Sequence, residues 1–327
     1  MCDMNYVIIS FLVVVLSNPI NLKATNPEHE RPSITFVFSK DDRDHFAASA
    51  INYYKTEEKA RTQYIDHTCR SFSEILERLR ILNQNHEQPW GLINIVSHGN
   101  PWTGLSLPIV NEGERLTKSE MIHQLIHGKL MPLQDHQIDH KTIVNIKACG
   151  VGSNPDLLEV MSIALGGYDA LRPQVFSSDN FIQYVMNESG FYEERKFQPF
   201  YTFYKTAFRP AYSFIALDLK RKYPEEQLNW LDILLDEHKS NDVFVDRFNV
   251  PILWHHRLKH PFNKNDFEQD EDLHELVQSN ESLFQLINDY EIPIHQFRWT
   301  VVDSPDKDPL NVIIKGKATV LCILQKV

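Results

Sequence analysis

The sequence predicts a three-layer α/β fold on a mostly parallel sheet, followed by a mixed α+β subdomain. Two observations carry this expectation. From Ser33 to Ser177 short apolar runs alternate with helical patterns, the signature of βαβ units. The run at residues 91–97 (GLINIVS) is also apolar enough to be buried on both faces, as strands of a parallel sheet are. The 327 residues are 42% hydrophobic, 24% charged and 11% aromatic, which excludes a disordered or fibrous chain and leaves room for roughly two domains.

Taken in order, residues 33–39 (SITFVFS) read as the first strand and 42–56 as a helix. A short second strand follows at 64–68. Residues 71–83 carry Ile75, Leu76, Leu79 and Leu82 at helical spacing, an amphipathic helix. The third strand, 91–97, leads to a helix at 117–127 with Thr117 as N-cap, Glu120 at the capping-box position and Gly128 at its end. Residues 142–148 (TIVNIKA) form the fourth strand. Asn154 and Pro155 open a helix that closes on Gly166 and Gly167, and 173–177 is the fifth strand. Eleven Phe or Tyr residues between 181 and 212 build a second apolar layer or a pocket wall. Beyond Arg209 the alternation weakens. Residues 225–238 and 270–289 read as helices and 239–270 as a polar stretch. Residues 296–324 read as a small antiparallel element turning at Lys315-Gly316.

The apolar run at residues 7–16 (VIISFLVVVL) is too short to span a bilayer and suits the core of a secretory signal with a small-residue site near Ala24. No Lys or Arg precedes it, so a buried strand is the alternative. The expected division is therefore a signal peptide at 1–24, a first domain at 25–208 and a mixed subdomain at 209–327. The expected location is secreted or periplasmic, with cytoplasmic as the alternative. Lys plus Arg number 33 against 44 Asp plus Glu, a net charge of −11, which disfavours nucleic acid as a partner. The four cysteines, Cys2, Cys69, Cys149 and Cys322, form no CxxC motif. Cys69 and Cys322 are candidates to pair, which leaves Cys149 as the thiol to explain.

In an open α/β sheet, functional groups gather at the carboxyl ends of the strands. The third strand ends in Ser97-His98-Gly99 and the fourth in Lys147-Ala148-Cys149-Gly150, so neighbouring strands would place an imidazole beside a thiol. A thiolate is a nucleophile, and an imidazole can take its proton and return it to a leaving amine. The N–H groups of Gly99 and Cys149 are the candidate oxyanion hole. Gly150, Trp102 and Asp179 are expected to flank substrate. Lys147 shares a face with Cys149 by strand alternation, where its charge would favour an acidic or polar side chain unless it pairs with Asp179.

An apolar strand ending in His-Gly, followed 51 residues after the histidine by one ending in Ala-Cys, resembles the caspase-like superfamily of cysteine peptidases. That superfamily includes caspases, metacaspases, gingipains, clostripain, legumain and separase. The resemblance covers about residues 33–178 and lacks the caspase pentapeptide around the cysteine. It implies a caspase-like fold and a cysteine endopeptidase with Cys149 as nucleophile and His98 as general base and acid. Acyl transfer through a thioester on a peptide or protein substrate would follow, with no cofactor required, although some relatives use calcium or proteolytic activation. The competing reading is an inactive caspase-like binding module. Other constellations are weaker. His123 with His127, and His136 with His140, have zinc-ligand spacing but no HExxH and no third ligand. Ser97 lacks a G-x-S-x-G elbow, and phosphate-binding Gly-rich loops are absent.

Overall fold

Five short apolar segments, each flanked by polar loops, pair as a parallel sheet. They are β1 (Ser33–Val37), β2 (Tyr64–Asp66), β3 (Leu92–Val96), β7 (Ile143–Lys147) and β8 (Gln174–Ser177), in the order β2-β1-β3-β7-β8. The computed structural model describes residues 31–327 apart from 42, 60, 168–171, 237–241, 262, 264–269 and 306–307, and these residues pack as one compact unit. The expected signal segment at 1–24 lies outside the described residues.

The step from β1 to β2 runs one way across the sheet and the later steps run the other, so the crossover helices cover both faces. Helix α1 (His45–Thr56) covers one face, where Ala47, Ala50 and Tyr54 pack on Val37 and Val96. Helices α2 (Phe72–Asn83) and α4 (Pro155–Gly166) cover the other, over Ile34, Phe36, Ile93, Ile95, Val144 and Ile146. Each helix starts where a side chain relieves an orphan N–H: Asp44 accepts from Ala47 N, Ser71 from Glu74 N and Asn154 from Leu157 N. Between β3 and β7 the chain makes a small sheet of β4 (Gly99–Asn100), β5 (Gly104–Pro108) and β6 (Arg115–Leu116). Helix α3 (Lys118–Ile126) follows, capped by Thr117. Gly104 sits at φ +64° with its α-carbon against the Leu116 carbonyl, a place no side chain can occupy.

The aromatic-rich segment forms β9 (Phe181–Met186) and β10 (Tyr192–Lys205), which belong to a second, antiparallel sheet with β11 (Val243–Arg257), β12 (Arg298–Asp303) and β13 (Asn311–Lys326). The sheet order is β11-β13-β10-β9, with β12 pairing along the first half of β13. One face, with Phe200, Tyr204, Leu321 and Ile323, lies under α5 (Tyr212–Lys222) and α6 (Trp230–Asp236). The opposite face, with Phe197, Val250, Ile252, Ala318, Val320 and Cys322, meets α7 (Asp270–Ser279), α8 (Glu281–Asp289), Trp102 and Phe181.

The mixed α/β class with a central parallel sheet is therefore present, and several expected elements are redrawn. The second sheet begins at Phe181, ahead of the 208/209 boundary, because β10 finds its partner more than 100 residues later in β13. Lys315-Gly316 is no turn. It lies inside β13, where Gly316 faces Trp299 and a β-carbon would enter the indole ring. The helix at 270–289 is two helices, broken at Asn280, whose side chain caps α8 by accepting from Leu283 N. The polar stretch at 239–270 contains the 15-residue β11. Cys69 and Cys322 are both free thiols buried in separate cores, so the expected pair does not form. Among the described residues no helix is long and apolar enough to cross a membrane.

Candidate active site

The order of the parallel strands places a switch point between β1 and β3, where the chain leaves in opposite directions and a crevice opens at the carboxyl ends. Two loops meet there. After β1 comes Asp44, the cap of α1; after β3 comes His98. The His98 Nε2 lies 3.0 Å from Asp44 Oδ1, and its ring stacks on Phe46 with centroids 4.6 Å apart. Asp44 thus does two things: it caps the helix and orients the imidazole, leaving Nδ1 to face elsewhere. The His98 side chain is 53% exposed, whereas that of Asp44 is 10% exposed. An open recess of about 580 Å³ sits over this pair, lined also by Lys40, Asp41, Arg43 and His45.

The in-register pairing of Val96 with Lys147, and the Ser97 N–H donated to Lys147 O, carry His98 and Cys149 onto the same face. Both lie toward α1: Cys149 and Phe46 pack on the same cluster of Val37, Ala47, Ala50, Tyr54 and Val96. The thiol is nonetheless bonded elsewhere than to the imidazole. Its Sγ donates to Ile182 O at 3.6 Å, there is no hydrogen bond to His98, and Cys149 does not line the recess. Burial pushes the Cys149 thiol up to about 11; the Ile182 hydrogen bond opposes this and the Asp246 carboxylate adds to it. At neutral pH the resting group is a half-buried, protonated thiol.

The remaining expected residues divide between two places. The donation from Ser106 N to His98 O makes that a hydrogen-bonded pair of the β4–β5 ladder, so Gly99 falls at the next, non-hydrogen-bonded position and its N–H is not spent on β5. Gly150 is at φ +64°, wedged against the Phe181 ring, and donates its N–H to Asn180 O. Lys147 is held by both oxygens of Glu194 on β10, at 3.2 and 2.9 Å, with Tyr184 donating to the same carboxylate. Its partner is thus Glu194 rather than Asp179, and its charge is already matched, which removes the argument for an acidic ligand. Trp102 is buried edge-on against Tyr201, and Asp179 is exposed beside Ser153; both line a second cleft rather than the His98 recess.

Sequence reasoning did not single out Asp44, Ile182 or Glu194. Asp44 was accessible as an N-cap directly after the first strand, at the place where a doubly wound sheet gathers ligands. Ile182 and Glu194 act across sheets and leave no local signal. The rings of His123 and His127 stack at 4.2 Å on the surface, and no group of three metal-ligating side chains occurs among the described residues. In comparisons with known proteins, no family model matches this chain, nor does any curated protein or solved structure.

Proposed function

We propose that the chain is a caspase-like cysteine peptidase, held in a latent arrangement, that cleaves peptide bonds with Cys149 and His98. The observation that supports this best is the strand register: it puts His98 and Cys149 on one face at the carboxyl edge, with Asp44 fixed on the far nitrogen of the imidazole. In the reaction, His98 takes the Cys149 proton as sulfur attacks the substrate carbonyl carbon. The oxyanion is met by the N–H groups of Gly99 and Cys149. His98 then gives the proton to the leaving amine as the C–N bond breaks, and water, deprotonated by His98, hydrolyses the thioester. Before any of this, Sγ must leave Ile182 O and turn toward His98.

The same thiol, protonated and bonded to Ile182 O, favours a second reading, a binding module of this fold that does not turn over. A fluorogenic peptide library, with reductant and with or without calcium, compared across wild type, Cys149→Ala and His98→Ala, separates the two. The expected result is cleavage that disappears in both variants. With the thiol pushed up to about 11, the small thiolate fraction grows about tenfold per pH unit below that value, so iodoacetamide modification of Cys149 is expected to rise about tenfold per pH unit between 7 and 10. A plateau reached near neutral pH would mean that the imidazole already activates the thiol. Absence of cleavage in every sample, with modification confined to the alkaline limb, would sink the peptidase and leave the binding module.

A further inference from the structure

We infer that a second cleft, on the other side of the loops that carry His98 and Cys149, is a binding site for a basic peptide segment. The cleft encloses about 800 Å³, within the usual size of ligand sites, where β5, α3 and α4 meet α8 and the antiparallel sheet. Its walls are built from both sheets: Trp102 follows β4, Tyr201 lies on β10 and Trp254 on β11. Asn154 Nδ2 donates to Pro101 O at 3.1 Å and joins the two loops that form the near wall. This site stands independently of the catalytic reading.

Charge selects the ligand. Among the described residues Lys118 is the only cation lining the cleft, and it is bound to Asp156 and Asp289 together, an arrangement that raises its pKa chiefly through the Asp156 hydrogen bond. Asp179 and Glu281 lie on the rim without an ion pair among the described residues, whereas the Glu291 carboxylate, also on the rim, acts electrostatically on the nearby Lys222 ammonium. The amino ends of α3 and α4 also open here, but Asp156 in the first turn of α4 offsets that partial positive charge. Glu291 follows the C-cap of α8 at φ +54°, a position where glycine is the usual residue, so a carboxylate is held on the rim at a conformational cost. Aromatic walls under a carboxylate rim suit a lysine or arginine whose stem packs on a ring and whose head meets the acids. Tyr201 already takes such a cation: the Lys222 ammonium lies 3.5 Å from its ring centroid, outside the cleft lining.

The test is fluorescence anisotropy of fluorescein-labelled Phe-Arg-Leu-Arg and Phe-Glu-Leu-Glu peptides on the full Cys149→Ala chain, in which the probe cannot be cut through Cys149. The basic peptide is expected to bind at least tenfold more tightly than the acidic one and to weaken as salt rises. The Glu281→Gln/Glu291→Gln double variant is expected to lose about fivefold, the scale of exposed ion pairs. Ser282→Trp, at an exposed position on the lining, is expected to weaken binding tenfold by filling the cleft. Equal affinity for the two peptides, no binding of either, or binding unchanged by both variants would overturn the assignment.

Discussion

In the parallel sheet no strand exceeds five residues, and the crossover helices α1, α2 and α4 each begin on a side-chain cap. The antiparallel sheet is instead strung on β13, a 16-residue strand that pairs with β10, β11 and β12, and its first covering helix, α5, has no side-chain cap. The first sheet is assembled from local units and gathers Asp44, His98 and Cys149 at its loop ends. The second is assembled from long-range pairing and decides what those loop ends can reach. Three contacts carry that control: Ile182 O on Cys149, Glu194 on Lys147, and Tyr201 against Trp102.

The contrast can be broken at the contact between the sheets. Glu194→Ala would strand the Lys147 ammonium, whose side chain is 28% exposed, and is expected to cost about 3 kcal/mol in denaturant unfolding. Replacing both partners with apolar residues, in Lys147→Met/Glu194→Leu, should recover most of that loss, since the penalty is the unpaired charge. A change below about 0.5 kcal/mol for Glu194→Ala would mean that the sheets are not coupled through this pair. Within the antiparallel sheet alone, Gly316→Ala forces a methyl group into the Trp299 ring and should cost about 2 kcal/mol. An unchanged denaturation midpoint would show that β12 shifts freely on β13.

At the parallel edge the effects are smaller and separable. Asp44→Ala removes the cap of α1 and is expected to lower stability by about 1 kcal/mol. Asp44→Asn keeps an equally good cap, so stability should hold within about 0.5 kcal/mol, while peptide cleavage falls tenfold or more because the carboxylate that orients His98 is gone. Equal cleavage by Asp44→Asn and wild type would make Asp44 a helix cap only.

Much of the parallel sheet was legible because its signals are local. Thr117 and Asn154 announce helix starts through hydrogen bonds spanning three residues, and the run at 91–97 reads as a buried strand from composition alone. The antiparallel sheet resisted for the opposite reason. Gly316 looks like a turn residue until Trp299 is seen above it, and β11 reads as polar because its alternate side chains, including His255 and Arg257, face outward. At the site, His98 and Cys149 were legible as strand-end residues on one edge of the sheet, and their shared face comes from the register of β3 on β7. The orientation of the thiol was not, since it depends on the Ile182 carbonyl from another sheet.

What the amino-acid sequence determined by itself was the alternation that builds the parallel sheet and the residue types delivered to its carboxyl edge, because periodicity, capping and strand alternation act over a few residues. Only the tertiary structure decided which of those groups is free. Asp44 reaches His98 across 54 residues of chain, Glu194 neutralises Lys147 across 47, and the Ile182 carbonyl accepts from the Cys149 thiol across 33. Charge matching and burial are properties of neighbours in space, and no local pattern encodes them.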